Sequence, residues 1–327
     1  MVVPLTSHEL HVITHLLTEA GSLSAQDSCL ILFDESTATL VGGFVQQAEK
    51  LCPRITKAEI PMANRHGAEP PEFISQLMKK QTIVISLTKY SLAHTIARIN
   101  ATHYGARFLS IPMYDQALLN EPALLFAYKQ QGHVVRTITN FFDHGNQVQI
   151  TSAAGTNITL NISGRTGNCC PGYVISPGEL GSPPDIESNI SPIETDSLGV
   201  VVIDGSITCP ELGLLVDPIY LEIVDGFIVN ITSDNSHYVT ILEKMLGSLG
   251  SKRRVLAECG VGLNPAAKLT GNMLTDEGSL GCLHFGFGSN STVGGINKVD
   301  FHLDFVFRDA SLFVDKQLII DQGSLVI

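Results

Sequence analysis

Tryptophan is absent from the 327 residues, and basic side chains are scarce. Twenty lysines and arginines stand against 32 aspartates and glutamates, a formal net charge of −12. Nucleic acids and anionic membranes attract basic patches, so this balance predicts neither as a partner. No apolar run approaches the roughly 18 residues needed to cross a bilayer. The opening MVVPLTSHELHVITHLL has no basic leader and carries His8, Glu9 and His11 early, which is not the pattern of a secretory signal. The seven cysteines are odd in number and scattered. Adjacent Cys169 and Cys170 suit neither a disulfide nor the CxxC spacing of a zinc or redox site. Reduced thiols in a cytoplasmic protein are expected. The glycines form no GxGxxG fingerprint and no phosphate loop.

What is present is a globular composition, 44% apolar with a mean hydropathy of +0.21. A helix is predicted over 7–20 with Ser7 as its cap, from apolar residues at Leu10, Ile13, Leu16 and Leu17. Strand-like CLILF (29–33), ITKAEIPM (55–62), TIVISL (82–87) and RFLSIPM (107–113) then alternate with helical 39–51, 70–80 and 91–105. That rhythm predicts a parallel sheet covered by helices. Near residue 144 the pattern changes. Period-two alternation over 145–165, LGVVVIDGSI (198–207), IYLEIVDGFIVNI (219–231) and the C-terminal stretches read as antiparallel strands, with Asp225-Gly226 as a hairpin turn. The expected fold class is α/β: a Rossmann-like parallel α/β domain over 1–143 and a mainly antiparallel β (α+β) metal-binding domain over 144–327.

DFHLDFVF (300–307) raises the question of chemistry. In a strand, residues two apart share a face, so His302 and Asp304 project together as two metal ligands would. Taken alone, they are two polar residues on a half-exposed strand. Glu258 sits in the apolar run RVLAECGVGLNPAA, where a carboxylate is costly unless paired or metal-bound. His284 lies among small and apolar residues, and Glu187 lies in the proline-flanked PPDIESNISP, read as a rigid loop. Imidazole and carboxylate together suit zinc, cobalt, manganese or iron. Asp276 and Glu277 read as acids at a helix start. Lys298 reads as an exposed lysine, and Cys169-Cys170 as a turn.

The ordered set in 257–304, AECGVGLNPAAKLTGNMLTDEGSLGCLHFGFGSNSTVGGINKVDFHLD, resembles the C-terminal signature of the metal-dependent aminopeptidase S/aminopeptidase T family. Its elements are Glu before a glycine-rich turn, a DE pair, His in a small-residue helix, GG, and HxD. The resemblance covers most of 145–310. It implies that Glu187, Glu258, His284, His302 and Asp304 bind two divalent metals (Zn, Co or Mn), that a metal-activated water removes N-terminal residues from peptides or cleaves a related amide, and that the chain forms a homodimer. The tyrosine that follows the family's helix histidine is missing from HFGFGSNST. The 2,5-dihydroxypyridine dioxygenases share the GGxxK…HLD ending. That second likeness implies one Fe(II) held by the HxD pair and a third histidine, a position matched here by Glu258.

Overall fold

The computed structural model describes residues 4–327. Its chain forms two compact units, one running to Gln130 and including Pro171–Pro184, the other Gln131–Cys170 with Asp185–Ile327. The sequence pattern placed the division at 143/144. The helix Tyr128–His144 accounts for part of the difference, because Thr139 on it pairs with Ser188 (Oγ1–Oγ 2.8 Å) and Asp143 accepts the Gly167 amide.

The first unit is built on a five-stranded, all-parallel sheet in the order Ile55–Glu59, Cys29–Phe33, Ile83–Leu87, Arg107–Ser110, Leu180–Gly181. Its central strands are apolar and buried, as expected where helices cover both faces. The helices are Ser7–His15, continued by a π-turn Leu16–Ala20, then Ala38–Ala48, Glu72–Met78 and Ile96–His103. The first is capped by Thr6 rather than Ser7. Thr6 Oγ1 accepts the Glu9 amide at 3.2 Å while Glu9 accepts the Thr6 amide at 2.6 Å, a capping box. Arg107 crosses the end of the sheet to Asp27 at 2.6 Å and to the carbonyls of Gly21 and Ser22.

The second unit holds two antiparallel sheets. One has eight strands in the order Phe227–Ser233, Ile219–Val224, Ser197–Ile203, Asn157–Asn161, Gln147–Ser152, Ala310–Val314, Gln317–Asp321, Ser324–Leu325. Its Asp225-Gly226 turn has φ of 49° and 76°, the double left-handed geometry that a two-residue hairpin requires. The other sheet has seven strands in the order Gly213–Leu214, Ser206–Ile207, His302–Arg308, Cys282–Gly288, Leu256–Gly262, Glu187–Ile190, Asn168–Cys170. Two expectations change here. His284 is on a strand, not a helix, and Glu187 opens a buried strand rather than sitting in a loop. One face of this sheet is aromatic: Phe285 meets Phe307 at 5.2 Å between ring centroids and Phe287 meets Phe305 at 4.9 Å. No helix among the described residues is long and apolar enough to cross a membrane.

Candidate metal centre

On the opposite face of the seven-stranded sheet, the five side chains singled out in the sequence come together. Glu187, Glu258 and His284 lie on three consecutive strands, and His302 and Asp304 share the fourth. Residues directly opposed across an antiparallel pair point to the same face. The register sets a glycine across from each donor: Gly262 opposite Glu187, Gly260 opposite His284, Gly286 opposite both Glu258 and Asp304, Gly288 opposite His302. Gly260 and Gly262 thus lie inside a strand, where the sequence suggested a glycine-rich turn.

The glycines make room. A Cβ at Gly260 would stand 2.1 Å from the His284 ring, and one at Gly286 would stand 2.7 Å from His302 Cε1 and 2.9 Å from Asp304 Oδ1. Glycine is otherwise a poor strand residue, since it weakens the strand and packs nothing. Its repeated use here keeps a lane open for the donor atoms.

The donors form two overlapping groups, Glu187–Glu258–His284 and Glu258–His302–Asp304, each with its ligand atoms within 4.8 Å of one another. His284 Nε2 lies 3.1 Å from Glu187 Oε2 and 4.0 Å from Glu258 Oε1. His302 Nε2 lies 3.3 Å from Glu258 Oε2 and 3.1 Å from Asp304 Oδ1. Glu258 therefore spans both groups with its two oxygens. Glu187, Glu258, His284 and Asp304 are buried, whereas the His302 side chain is 34% exposed and opens the lane to solvent.

Burial alone would push both imidazoles down. Glu187 and Glu258 instead carry His284 well above the ordinary histidine range, and Asp304 and Glu258 do the same for His302. Burial would raise Glu258, yet the two imidazoles hold it below the usual carboxylate range. Two acids missed as site residues complete the cluster. Burial and then Glu187 raise Asp185, and burial and then Asp304 raise Glu277. Asp185 Oδ1, Glu187 Oε2, Glu277 Oε1 and His284 Nδ1 are buried with no hydrogen-bond partner among the described residues. Asp185 stands two residues before Glu187 on the same short stretch, a spacing available in the sequence. Asp276, by contrast, is fully satisfied. It accepts from Ser206 Oγ (2.6 Å), Thr270 N (2.7 Å) and Gly271 N (2.9 Å), and so clamps a loop rather than answering a helix dipole.

The arrangement fits a divalent cation. His302 Nδ1 pairs with the Ser289 carbonyl at 2.8 Å, so Nδ1 carries the proton and Nε2 is left to ligate. Carboxylates outnumber imidazoles, the orphaned oxygens are buried, and the glycine lane leaves space at the donor tips. Lys298 is exposed. Cys170, opposite Glu187 in register, borders the lane, and burial raises its thiol.

The family model described as NicX, 2,5-dihydroxypyridine 5,6-dioxygenase, matches residues 45–327. The chain belongs to this dioxygenase family. The 2,5-dihydroxypyridine 5,6-dioxygenase of Pseudomonas putida KT2440 is 28% identical over 166 residues, an alignment spanning about half of each protein, 47% of this chain and 47% of that one. The solved structure of 2,5-dihydroxypyridine dioxygenase from Pseudomonas putida KT2440 superposes with a TM-score of 0.84 at 19% identity, covering 98% of both chains. Wild-type AmpT from Thermus thermophilus superposes with a TM-score of 0.70 at 12% identity, covering 98% of this chain and 99% of that one. At such identities the two structures speak to the fold, which both share. The aminopeptidase function drawn from the sequence is overturned, because the family that matches is the dioxygenase and AmpT is related through fold alone. Imidazole and carboxylate donors suit zinc, cobalt, manganese and iron alike, so the donor types alone do not fix the reaction.

Proposed function

We propose that the chain is a ring-cleaving dioxygenase that holds ferrous ion between Glu258, His302 and Asp304 and opens a dihydroxylated pyridine-type ring. The observation that carries this is the Glu258–His302–Asp304 group on the open lane of a chain matched over 45–327 by the dioxygenase family. A ferrous ion there would supply the one-electron chemistry that lets dioxygen react with an aromatic ring. The commoner ferrous oxygenase set is two histidines and one carboxylate. Here Glu258 takes the place of the third histidine that the dioxygenase likeness implies, so two carboxylates would balance the charge of a bound ferrous ion.

The chain's own residues prepare the site. The Ser289 carbonyl fixes the tautomer of His302, and Gly286 keeps a side chain out of the space between His302 and Asp304. The exposed edge of His302 is the side from which a small planar substrate would reach the metal. The second group, Glu187–Glu258–His284, would take a further divalent cation that shares Glu258. Its charge would lower the electron density that Glu258 gives to the ferrous position.

The test is anaerobic loading with Fe(II), followed by oxygen uptake with 2,5-dihydroxypyridine and its positional isomers. The expected result is uptake dependent on iron and ring, with both atoms of labelled dioxygen in an opened product. Iron-loaded protein that consumes no oxygen with any dihydroxypyridine would refute the proposal.

A further inference from the structure

The donor nearest the edge of the seven-stranded sheet is Glu187, and a line of amides leads to it. Asn189 Nδ2 donates to Glu187 Oε1 at 2.6 Å. Asn168 Nδ2 donates to Asn189 Oδ1 at 2.8 Å and also to the Val293 carbonyl at 3.0 Å. Asn168 and Asn189 are directly opposed in register, and Asn189 is opposed to Gly260, so both amides lie on the cation face. Asn189 is buried.

The polarity of this line is fixed at its far end. A backbone carbonyl only accepts, so Val293 requires the NH2 end of Asn168. That NH2 then meets the oxygen of Asn189, which turns the Asn189 NH2 toward Glu187. Glu187 Oε1 is held, and Oε2 is left facing His284 Nε2 at 3.1 Å.

Val293 belongs to the segment that also supplies the Ser289 carbonyl to His302. This segment is itself pinned. Asn290, wholly buried, donates to Ser191 Oγ at 2.8 Å and Glu194 Oε1 at 2.9 Å, and accepts the Asn297 amide at 2.8 Å. Gly295 packs on the Asn290 amide where no side chain would fit, with a Cβ 2.0 Å from Asn290 Cγ. The Gly-Gly of the GGINK stretch thereby finds its use: it folds the segment over Asn290, so that one piece of backbone faces both ends of the donor lane.

We infer that Asn168 and Asn189 are positioning residues, an amide relay by which the segment 289–297 orients Glu187, as the same segment orients His302 through Ser289. The inference rests on the proposed cation at Glu187–Glu258–His284. Residues one bond removed from a ligand commonly change metal affinity by about 10- to 100-fold. Asn168 stands two bonds away, at the sheet edge, and touches no donor.

The test uses Asn168→Asp, which cannot donate to Asn189, and Asn189→Leu, which removes the donor to Glu187 at similar volume. Cobalt(II) is titrated into the metal-free full chain and followed by visible absorption and calorimetry, with the thermal midpoint of the metal-free protein measured in parallel. The expected result is loss of one cobalt affinity by 10-fold or more in N189L and by a smaller factor in N168D, with the other affinity unchanged. Unaltered cobalt binding by folded N168D and N189L overturns the relay. If Glu187→Gln leaves wild-type cobalt binding unchanged, the cation reading at Glu187 fails instead. The relay is then decided by crystal structures of the metal-free variants: a Glu187 carboxylate that keeps its orientation in N168D and N189L overturns it, and a rotated one supports it.

Discussion

Replacing Gly286 by alanine isolates the space that the lane provides. The new Cβ would lie 2.7 Å from His302 Cε1 and 2.9 Å from Asp304 Oδ1, against 3.4 Å or more for ordinary contact, so the ring must retreat by about 0.7 Å. At Gly260 the same change brings Cβ to 2.1 Å from the His284 ring, a required shift of about 1.3 Å. Displacements of about 1 Å at a reacting centre can cost roughly 100-fold in rate. Overpacking a buried face costs about 1–3 kcal/mol of stability. Gly286→Ala is therefore expected to lower ferrous affinity by about 10- to 100-fold, as loss of ligand orientation does, and iron-dependent oxygen uptake with it. Gly260→Ala should displace His284 further while sparing His302. Gly42→Ala is the control: it lies in the helix Ala38–Ala48 with nothing within 4 Å of where its new methyl group would stand, and should stabilise by about 0.5–1 kcal/mol. Anaerobic iron titration of the three proteins, with thermal unfolding of each metal-free form, checks the set. Wild-type iron affinity in a folded Gly286→Ala would refute the reasoning, because the methyl group would then fit where the structure leaves no place for it.

Three further outcomes are expected. Glu258→Gln and His302→Ala should each strip iron below one equivalent and abolish oxygen uptake, whereas Lys298→Ala should leave iron content unchanged, as read by elemental analysis. Arg107→Met should destabilise by about 3 kcal/mol at neutral pH, since it leaves the buried Asp27 carboxylate without its cation. Burial would raise Asp27, but bonds from Thr82, Ser24 and Arg107 hold it below the usual range. Its contribution is therefore present above the unfolded carboxylate value near about 4 and is lost as pH falls through the lower folded value. The gap between wild type and Arg107→Met in urea unfolding should be widest above about pH 5 and close toward acid; a gap that widens on acidification would overturn the assignment. Asp276→Ala strands the Thr270 and Gly271 amides and Ser206 Oγ, at about 1–3 kcal/mol for each unpaired group, so it should lower the unfolding midpoint sharply; a midpoint indistinguishable from that of wild type, as read by calorimetry, would contradict the clamp.

The sequence made the HxD strand legible because strand periodicity is local: two residues apart means one face, whatever the partner strand. Glu258 was legible because a carboxylate in an apolar run needs a partner. The strand–helix rhythm before residue 144 likewise exposed the parallel sheet. What stayed hidden depends on pairing between distant segments. Glu187 looked like a loop residue between prolines, and only its register with Gly262 and Cys170 shows it as a strand. The return of Leu180–Gly181 to the edge of the parallel sheet has no local signature either. Glu277 was masked by a simpler explanation, an acid at a helix start. The set of two histidines and three carboxylates was read as a dinuclear hydrolase site, but the same donor types also suit iron, and the family match over 45–327 turned the reading to the dioxygenase.

The phenylalanines on the reverse of the seven-stranded sheet carry a consequence for how the protein handles its cation. Phe285, Phe287, Phe305 and Phe307 are wholly or almost wholly buried, and they join the two strands that bear His284, His302 and Asp304. Cohesion between these two strands is thus supplied from behind, independently of the donors in front. Loading and stripping of the proposed cation would then be reversible events on a standing scaffold, so a chelator is expected to remove iron-dependent oxygen uptake while leaving the thermal midpoint of the fold in place.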